Sequence, residues 1–351
     1  MSLRVGLVGC GAVAWAHARG WASLGGRVRF AGLADPDLHR RRSLREHLEH
    51  QRRGPGFNDS LREYDDYREL LADAKPDAVD ILLPHHLHKD CLVAACQQHV
   101  HWLCEKPLCI SRAEAEEIRA AMQASPVIGM CAHNEIFMPA LLEAKRLLNE
   151  GYLGQVYTII SQGGFIMGQP TPGTIVRPDA PSPVAVGSWR ADLAKMGGGE
   201  LIDSGYHPCY RLLYLAGQSP DRVLALTARH RLTTLPAEDT AVVLCTFPSG
   251  ATGLVRTSWA MEVPAGHQLF HVIGEKGELF GGSQELRFQP NRMQPAVLSF
   301  PDVDTFLLEV RHFVECVESG TPPIQTYEDG IAVLDLILRA YDFARTPQPG
   351  G

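Results

Sequence analysis

The chain has 351 residues, a formal net charge of −7, and hydrophobic and charged residues at 45% and 21%. The length exceeds one average domain and fits two, in a composition ordinary for a globular protein. The negative balance disfavours nucleic acid or an anionic membrane as the main partner, since both reward excess Lys and Arg. No apolar run approaches the roughly 18 residues of a membrane span. The opening Met1–Gly9 lacks the basic region and uninterrupted apolar core of a signal peptide, so the expected compartment is the cytosol. Nine cysteines, odd in number and without a C-x-x-C pair, are expected to be thiols rather than a disulfide framework or a zinc ribbon.

In chain order, Arg4–Val8 reads as a short apolar strand running into glycines, and Ala12–Leu24 as a helix. Val28–Ala34 is a second strand, stopped at Asp35-Pro36, and Pro36–Gln51 an Arg-rich helix. Tyr67–Ala74 is helical, Ala78–Leu83 a strand, Lys89–Gln98 a helix and His101–Cys104 a strand. Ser111 with Glu114 forms a capping box opening a helix to Ala124, and Val127–Cys131 closes the series. Repeated strand–helix alternation predicts a doubly wound parallel sheet over residues 1–132.

From about residue 133 to 351 the pattern changes to that of an α+β domain with a large, mostly antiparallel open sheet. Met138–Asn149 is helical, Gln155–Gly163 a strand, Gly168–Gly187 a long Pro/Gly-rich loop and Glu200–Ala216 a continuous helix. Close-spaced strands follow at Arg222–Arg231, Asp239–Phe247, Ala251–Trp259, Gln268–Gly274 and Gly277–Phe280, then helices at Thr305–Glu318 and Asp329–Arg345.

Gly9-Cys10-Gly11-Ala12-Val13-Ala14 matches G-x-G-x-x-G/A, after a strand and opening a helix, the context that motif requires. Gly9 permits the turn, Gly11 admits a pyrophosphate close to the backbone, and Ala14 lets the helix sit near the sheet. The helix N-terminus, with Ala12 and Val13, offers N–H groups and partial positive charge to the phosphates. Asp35 ends the second strand, where a carboxylate accepts bonds from a ribose diol and repels a 2′-phosphate. The expected cofactor is therefore NAD. NADP stays open because Arg40, Arg41 and Arg42 lie just downstream, where the alternative is a solvated helix face.

Two further clusters carry chemistry. Glu105-Lys106-Pro107 follows a strand, at the carboxyl end where such folds place ligands. Gly197-Gly198-Gly199 precedes a helix on which Asp203 and His207, four residues apart, share one face. Singly, each of these reads equally well as a surface charge or a satisfied polar pair.

Taken in order, these pieces resemble the Gfo/Idh/MocA family, the group of glucose–fructose oxidoreductase and inositol dehydrogenase. They run Gly9-x-Gly11-x-x-Ala14, Asp35, Pro84-x-x-x-His88, Glu105-Lys106-Pro107, Gly151-Tyr-Leu-Gly154-Gln-Val156, and Gly-Gly-Gly-x-Leu-x-Asp203-x-Gly205-x-His207. The resemblance implies a nicotinamide-dependent dehydrogenase or reductase of a sugar or polyol, with Lys106, Asp203 and His207 as the catalytic set. It implies that Pro84, His88, Glu105 and Lys106 flank the nicotinamide half, and that the second-domain sheet serves a homodimer or homotetramer. His207, with an ordinary pKa near 6.5, suits the base for an alcohol proton. Lys106 suits the developing negative charge on the same oxygen. A cis Lys106–Pro107 peptide is expected.

The chain departs from the family pattern at His85-His86, where Asn is common, at Tyr210, where Asp is common, and at Asn134-Glu135-Ile136-Phe137, in place of an Arg-Phe pair. These departures bear on substrate identity. Trp189-Arg190 is a candidate substrate-binding element, with a salt bridge as the alternative role for Arg190. His85, His86 and His88 lack an accompanying carboxylate or Cys cluster, so no metal is expected. Two other functions compete with net hydride transfer: an enzyme using tightly held NAD transiently, for example in glycosidic cleavage, and a nucleotide-sensing protein without catalysis.

Overall fold

The computed structural model describes residues 2–51, 61–169, 188–263 and 268–345. The chain divides into two compact units: residues 1–134 with 304–331, and residues 135–303 with 332–351. The sequence reading ran the second domain unbroken from 133 to 351. In the structure the chain returns, and residues 304–331 cluster with the first unit.

The first unit begins β1 (Leu3–Val8), α1 (Ala14–Ser23), β2 (Val28–Ala34), α2 (Leu38–Gln51), β3 (Arg62–Tyr64) and α3 (Tyr67–Glu69), whose end widens into a π turn over Leu70–Ala74. It continues with β4 (Ala78–Ile81), α4 (His88–Gln97), β5 (His101–Glu105), α5 (Arg112–Gln123) and β6 (Gly129–Ala132). The six strands form one parallel sheet in the order β3-β2-β1-β4-β5-β6. This is the doubly wound order with its switch point between β1 and β4. Val5, Leu7 and Val8 of β1 are buried, as strands covered on both faces require.

Ser111 caps α5 by accepting the Glu114 N–H at 3.3 Å, and Glu114 reaches past the cap to accept the Ile110 N–H at 2.8 Å. β3, only three residues long and polar, gave no periodic signal.

In the second unit come α6 (Pro139–Asn149), β7 (Val156–Gln162), α7 (Leu193–Met196), α8 (Glu200–Asp203) and α9 (Tyr206–Ala216). Then follow β8 (Arg222–Ala228), β9 (Thr240–Thr246), β10 (Thr252–Ser258), β11 (Phe270–Gly274), β12 (Gly277–Gly281), β13 (Glu285–Pro290) and β14 (Ala296–Ser299). Helix α10 (Thr305–Ser319) packs on α1 in the first unit, and the division between units falls after Ile331 within α11 (Tyr327–Arg345).

The eight strands form an open sheet in the order β14-β13-β12-β11-β7-β10-β9-β8. Neighbours are antiparallel except β7 with β10, which are parallel. β13 and β14 were not foreseen: β13 does alternate over Glu285-Leu286-Arg287-Phe288 with Leu286 buried, a signal that was passed over, whereas β14 is exposed throughout and has no buried face to alternate against. The loop predicted at 168–187 lies outside the described residues from 170 onward. Among the described residues no helix is long and apolar enough to cross a membrane.

One expectation fails locally. The helix predicted to run unbroken over 200–216 is interrupted at Ser204-Gly205 between α8 and α9. The Gly205 N–H bonds back to the Glu200 carbonyl at 2.9 Å, one residue further than an α-helical bond. A Cβ at Gly205 would lie 2.6 Å from the Leu201 Cα, so only glycine passes there. Asp203 and His207 therefore stand on either side of a break, and their placement does not follow from i, i+4 spacing.

Candidate active site

In the first unit the predicted cofactor residues collect at the carboxyl ends of β1, β2, β4 and β5. Gly9 has φ +96°, and a Cβ there would lie 2.5 Å from the Leu82 carbonyl oxygen, so the turn itself demands glycine. At Gly11 a Cβ would meet nothing within 4 Å. The protein's own packing gives no reason for glycine there, whereas close approach of a pyrophosphate does. Ala12 and Val13 lead into α1, and Ala14 is fully buried at its start.

The Asp35 carboxylate is nearly buried and accepts the Cys10 N–H at 2.8 Å and the Asp37 N–H at 2.9 Å. It thus couples the glycine turn to the end of β2 and keeps a fixed negative charge where a ribose would lie. The residues fit an NAD, whose pyrophosphate would rest on the turn and whose ribose diol would meet Asp35.

The downstream arginines divide. Arg41, expected on a solvated face, is buried instead; it bonds the Asp35 carbonyl and pairs with Asp65 at 2.6 Å and Glu63 at 3.5 Å. Arg40 is exposed and pairs with Asp37 at 3.4 Å.

Lys106–Pro107 is cis, as expected. His88 turns inward: it is buried, with Nδ1 2.6 Å from the Pro107 carbonyl and Nε2 2.6 Å from the Leu83 carbonyl. Burial, with His85 beside it, pulls its pKa down to about 4. The neutral ring donates to one carbonyl at a time and braces the Pro84 and Pro107 turns against each other.

Behind Glu105 lies a buried cluster that sequence reading missed. His17, one turn into α1 and fully buried, places Nδ1 2.9 Å from Asp80 and Nε2 3.2 Å from Glu105. Trp21 donates to the same Asp80 oxygen at 2.6 Å. Burial alone would lower the His17 pKa, but the charges and hydrogen bonds of Asp80 and Glu105 outweigh it and hold the ring well above its ordinary value. The second Glu105 oxygen accepts the Lys106 N–H at 3.1 Å. Glu309, on α10, is fully buried nearby, and desolvation pushes its carboxyl well above the usual range. An Asp in the middle of the apolar run Ala78–Leu83 was the available signal for this cluster.

In the second unit Gly198 and Gly199, just before α8, make room for the protein itself. A Cβ at Gly199 would lie 2.4 Å from the Glu238 carbonyl oxygen, and one at Gly198 2.4 Å from the Tyr341 hydroxyl. Glu200, buried, bonds Thr257 at 2.5 Å. Desolvation first, then the charges of Glu238, Asp203 and Asp239, push its carboxyl well above the usual range despite the Thr257 bond.

Asp203, nearly buried, accepts the Arg190 Nε–H at 2.7 Å, and the Arg190 guanidinium stacks 4.2 Å from the centroid of the Trp189 ring. Of the roles left open for Arg190, the structure thus shows an ion pair within the unit. The His207 Nδ1 stands 3.6 Å from Glu135, whose carboxylate also binds Arg211. Glu135 was noted in the sequence only as a departure from the family pattern. Among the described residues no group of three or more His, Cys, Asp or Glu is placed to hold a metal ion.

A doubly wound sheet with a glycine turn and an acidic second-strand end, joined to a unit built on a large open sheet, defines the class: a two-domain, dinucleotide-binding oxidoreductase architecture. Residues 3–133 match the model of the oxidoreductase family with an NAD-binding Rossmann fold, and residues 141–280 match that of the GFO/IDH/MocA C-terminal domain. The chain belongs to the Gfo/Idh/MocA family, and its cofactor is a nicotinamide dinucleotide.

It is 24% identical to myo-inositol 2-dehydrogenase of Thermotoga maritima, over 93% of this chain and 92% of the relative. It is 29% identical to scyllo-inositol 2-dehydrogenase (NAD(+)) of Bacillus subtilis, over 81% and 80%. A solved levoglucosan dehydrogenase in complex with NADH and levoglucosan superposes with a TM-score of 0.82 at 20% identity, covering 98% of this chain and 97% of that one. At that identity the match speaks for the fold.

Proposed function

We propose that the protein oxidises a secondary alcohol of a sugar or polyol, or reduces the corresponding carbonyl, with NAD. Family membership carries the reaction class, and relatives named as inositol dehydrogenases support the substrate class. The backbone of residues 9–14 holds the pyrophosphate, Asp35 the ribose diol, and Pro84, Glu105 and Lys106 the nicotinamide half. When bound, NAD supplies the hydride acceptor.

The remaining chemistry belongs to the chain. His207 takes the hydroxyl proton, and Lys106 donates to the same oxygen and stabilises its growing negative charge. Asp203, pinned by Arg190 at 2.7 Å, orients the substrate hydroxyls. In reduction His207 returns the proton. Asp35 together with the buried, paired state of Arg41 favours NAD over NADP.

The protein works as a homodimer or homotetramer through the open face of its sheet. Register places Leu224, Leu244, Leu254, Ile160, His271 and Phe280 in one row across six adjacent strands. Leu226 and Leu244 on that face are 75% and 47% exposed. A second copy covers such a face.

The test is absorbance at 340 nm with NAD, then NADP, against sugars, inositols and sugar acids. Substrate-dependent NADH growth supports the reading. Silence across the panel, with NAD binding established separately, moves it to transient redox or to sensing.

A further inference from the structure

His207 sits near the start of α9, and one turn later Arg211 presents its guanidinium on the same helix face. Arg211 is buried, and its other nitrogen donates to the Gln162 carbonyl at 2.6 Å, at the end of β7. A buried guanidinium requires a counter-charge. Glu135 provides it, from the short 3₁₀ turn Asn134–Phe137. The two Glu135 oxygens divide their work: Oε2 binds Arg211, while Oε1 faces the His207 Nδ1 at 3.6 Å. Arg211 thus fixes the carboxylate from behind and leaves one oxygen directed at the imidazole.

Among the described residues Glu135 is the carboxylate placed 3.6 Å from Nδ1, and the charged groups on elements packed against α9 have the following partners. Glu200 on α8 is bound by the Thr257 hydroxyl at 2.5 Å, and burial pushes its carboxyl above the usual range. Asp203 on α8 is matched by Arg190. Lys145 on α6 lies over the Tyr214 ring, 5.6 Å from its centroid, toward the far end of α9. Arg256 on β10 donates to the Gln162 side chain at 2.8 Å.

We propose that Glu135 is the positioning residue of the general base: anchored by Arg211, it keeps the proton of neutral His207 on Nδ1 and leaves Nε2 to accept the substrate proton. This rests on the assignment of His207 as the base. In the step, the substrate O–H bond breaks and an Nε2–H bond forms. The resulting imidazolium carries its Nδ1–H toward the Glu135 carboxylate, which stabilises the new charge, and the Nε2 proton afterwards leaves to solvent. Within the protein only His207 changes its bonding to a proton.

Nitrogen-15 histidine NMR of the full chain tests this without a substrate, with the His207 signal assigned by its loss in His207→Gln. In the wild type, above its midpoint, the proposal expects the Nδ1–H tautomer, with Nε2 showing the shift of an unprotonated nitrogen. An Nε2–H tautomer overturns it and needs no variant to fold. In Glu135→Gln the His207 midpoint is expected to fall by about one pH unit, a tenfold loss of proton affinity, while Glu135→Asp restores most of it. A Glu135→Gln protein with a wild-type circular dichroism spectrum and an unmoved midpoint means that Glu135 serves Arg211 alone, and the proposal fails.

Failure of the hydride reading shows separately, as silence at 340 nm from a protein whose His207 still gives the expected tautomer. Where turnover is found, Glu135→Gln lowers kcat at least tenfold with KM changed less than threefold.

Discussion

Substituting His17 with Gln probes the buried cluster behind Glu105. In the native chain one fully buried imidazole, its pKa raised by the two carboxylates, spans Asp80 at 2.9 Å and Glu105 at 3.2 Å. Gln retains a single amide donor group, so one carboxylate loses its charged partner, and the other keeps a neutral bond at best. Removing one partner of a buried ion pair costs about 3–5 kcal/mol, most of it the penalty of the stranded charge. At about 2–4 °C per kcal/mol for a protein of this size, Tm should fall by roughly 10 °C at pH 6.

The pH dependence carries the sharper content. The folded pKa of His17 is raised, so its contribution is complete below the unfolded value near 6.5 and is lost as pH rises toward the folded value. It should therefore shrink as pH rises above 6.5. The wild-type advantage over His17→Gln, followed by circular dichroism melts, is therefore expected to be largest at pH 6 and visibly smaller at pH 8. A gap under 2 °C at pH 6, or one independent of pH, refutes the assignment of a charged His17.

Lys106→Ala should lower the maximal rate by orders of magnitude while NADH still binds by fluorescence titration; undiminished turnover removes Lys106 from the reaction. Asp35→Asn should weaken NAD binding roughly tenfold or more in calorimetry, the scale of one or two charge-assisted bonds, and should not create NADP preference, because Arg41 stays paired with Asp65 and Glu63. Glu200→Gln should cost under about 1 kcal/mol, because burial already favours the neutral form of the carboxyl, which the amide mimics. A group whose folded pKa is raised loses stability as pH climbs above its unfolded value, so this variant should also melt less pH-dependently than wild type between pH 5 and 8. Leu244→Glu on the open sheet face should shift the assembly to monomer by light scattering, and a wild-type chain already monomeric at micromolar concentration removes the interface.

What was legible in the sequence follows from where the physics is local. The second strand was placed residue for residue, because Val28–Ala34 is apolar, β-branched at its start and stopped by Asp35-Pro36. The capped helix after Ser111 was equally plain, since a cap is a contact between residues three apart. β3 was missed because three polar residues join a sheet only when Gly32–Ala34 is already there to bond them. The break at Ser204-Gly205 was missed because Gly205 reads as a weak spot in a helix, and only the approach of Leu201 shows that the chain must turn.

The site divides along the same line. Motifs spelled out in consecutive residues could be read: the glycine turn, Glu105-Lys106-Pro107, and Asp203 with His207. The distant groups that contact them could not. His17 reaches Asp80 and Glu105 from 63 and 88 residues away, and Glu135 meets Arg211 from 76 residues away. In sequence each looks like an ordinary polar residue on a helix or a turn. What marks His17, Asp80 and Arg211 is burial, and burial of a charge is tolerated only when another charge meets it. The pairing is the informative quantity. It explains how an Asp can stand within the apolar run 78–83, where it would otherwise weaken the strand: Asp80 is held by His17 and Trp21. By the same reasoning Glu135 stands where it does because Arg211 on α9 meets its charge.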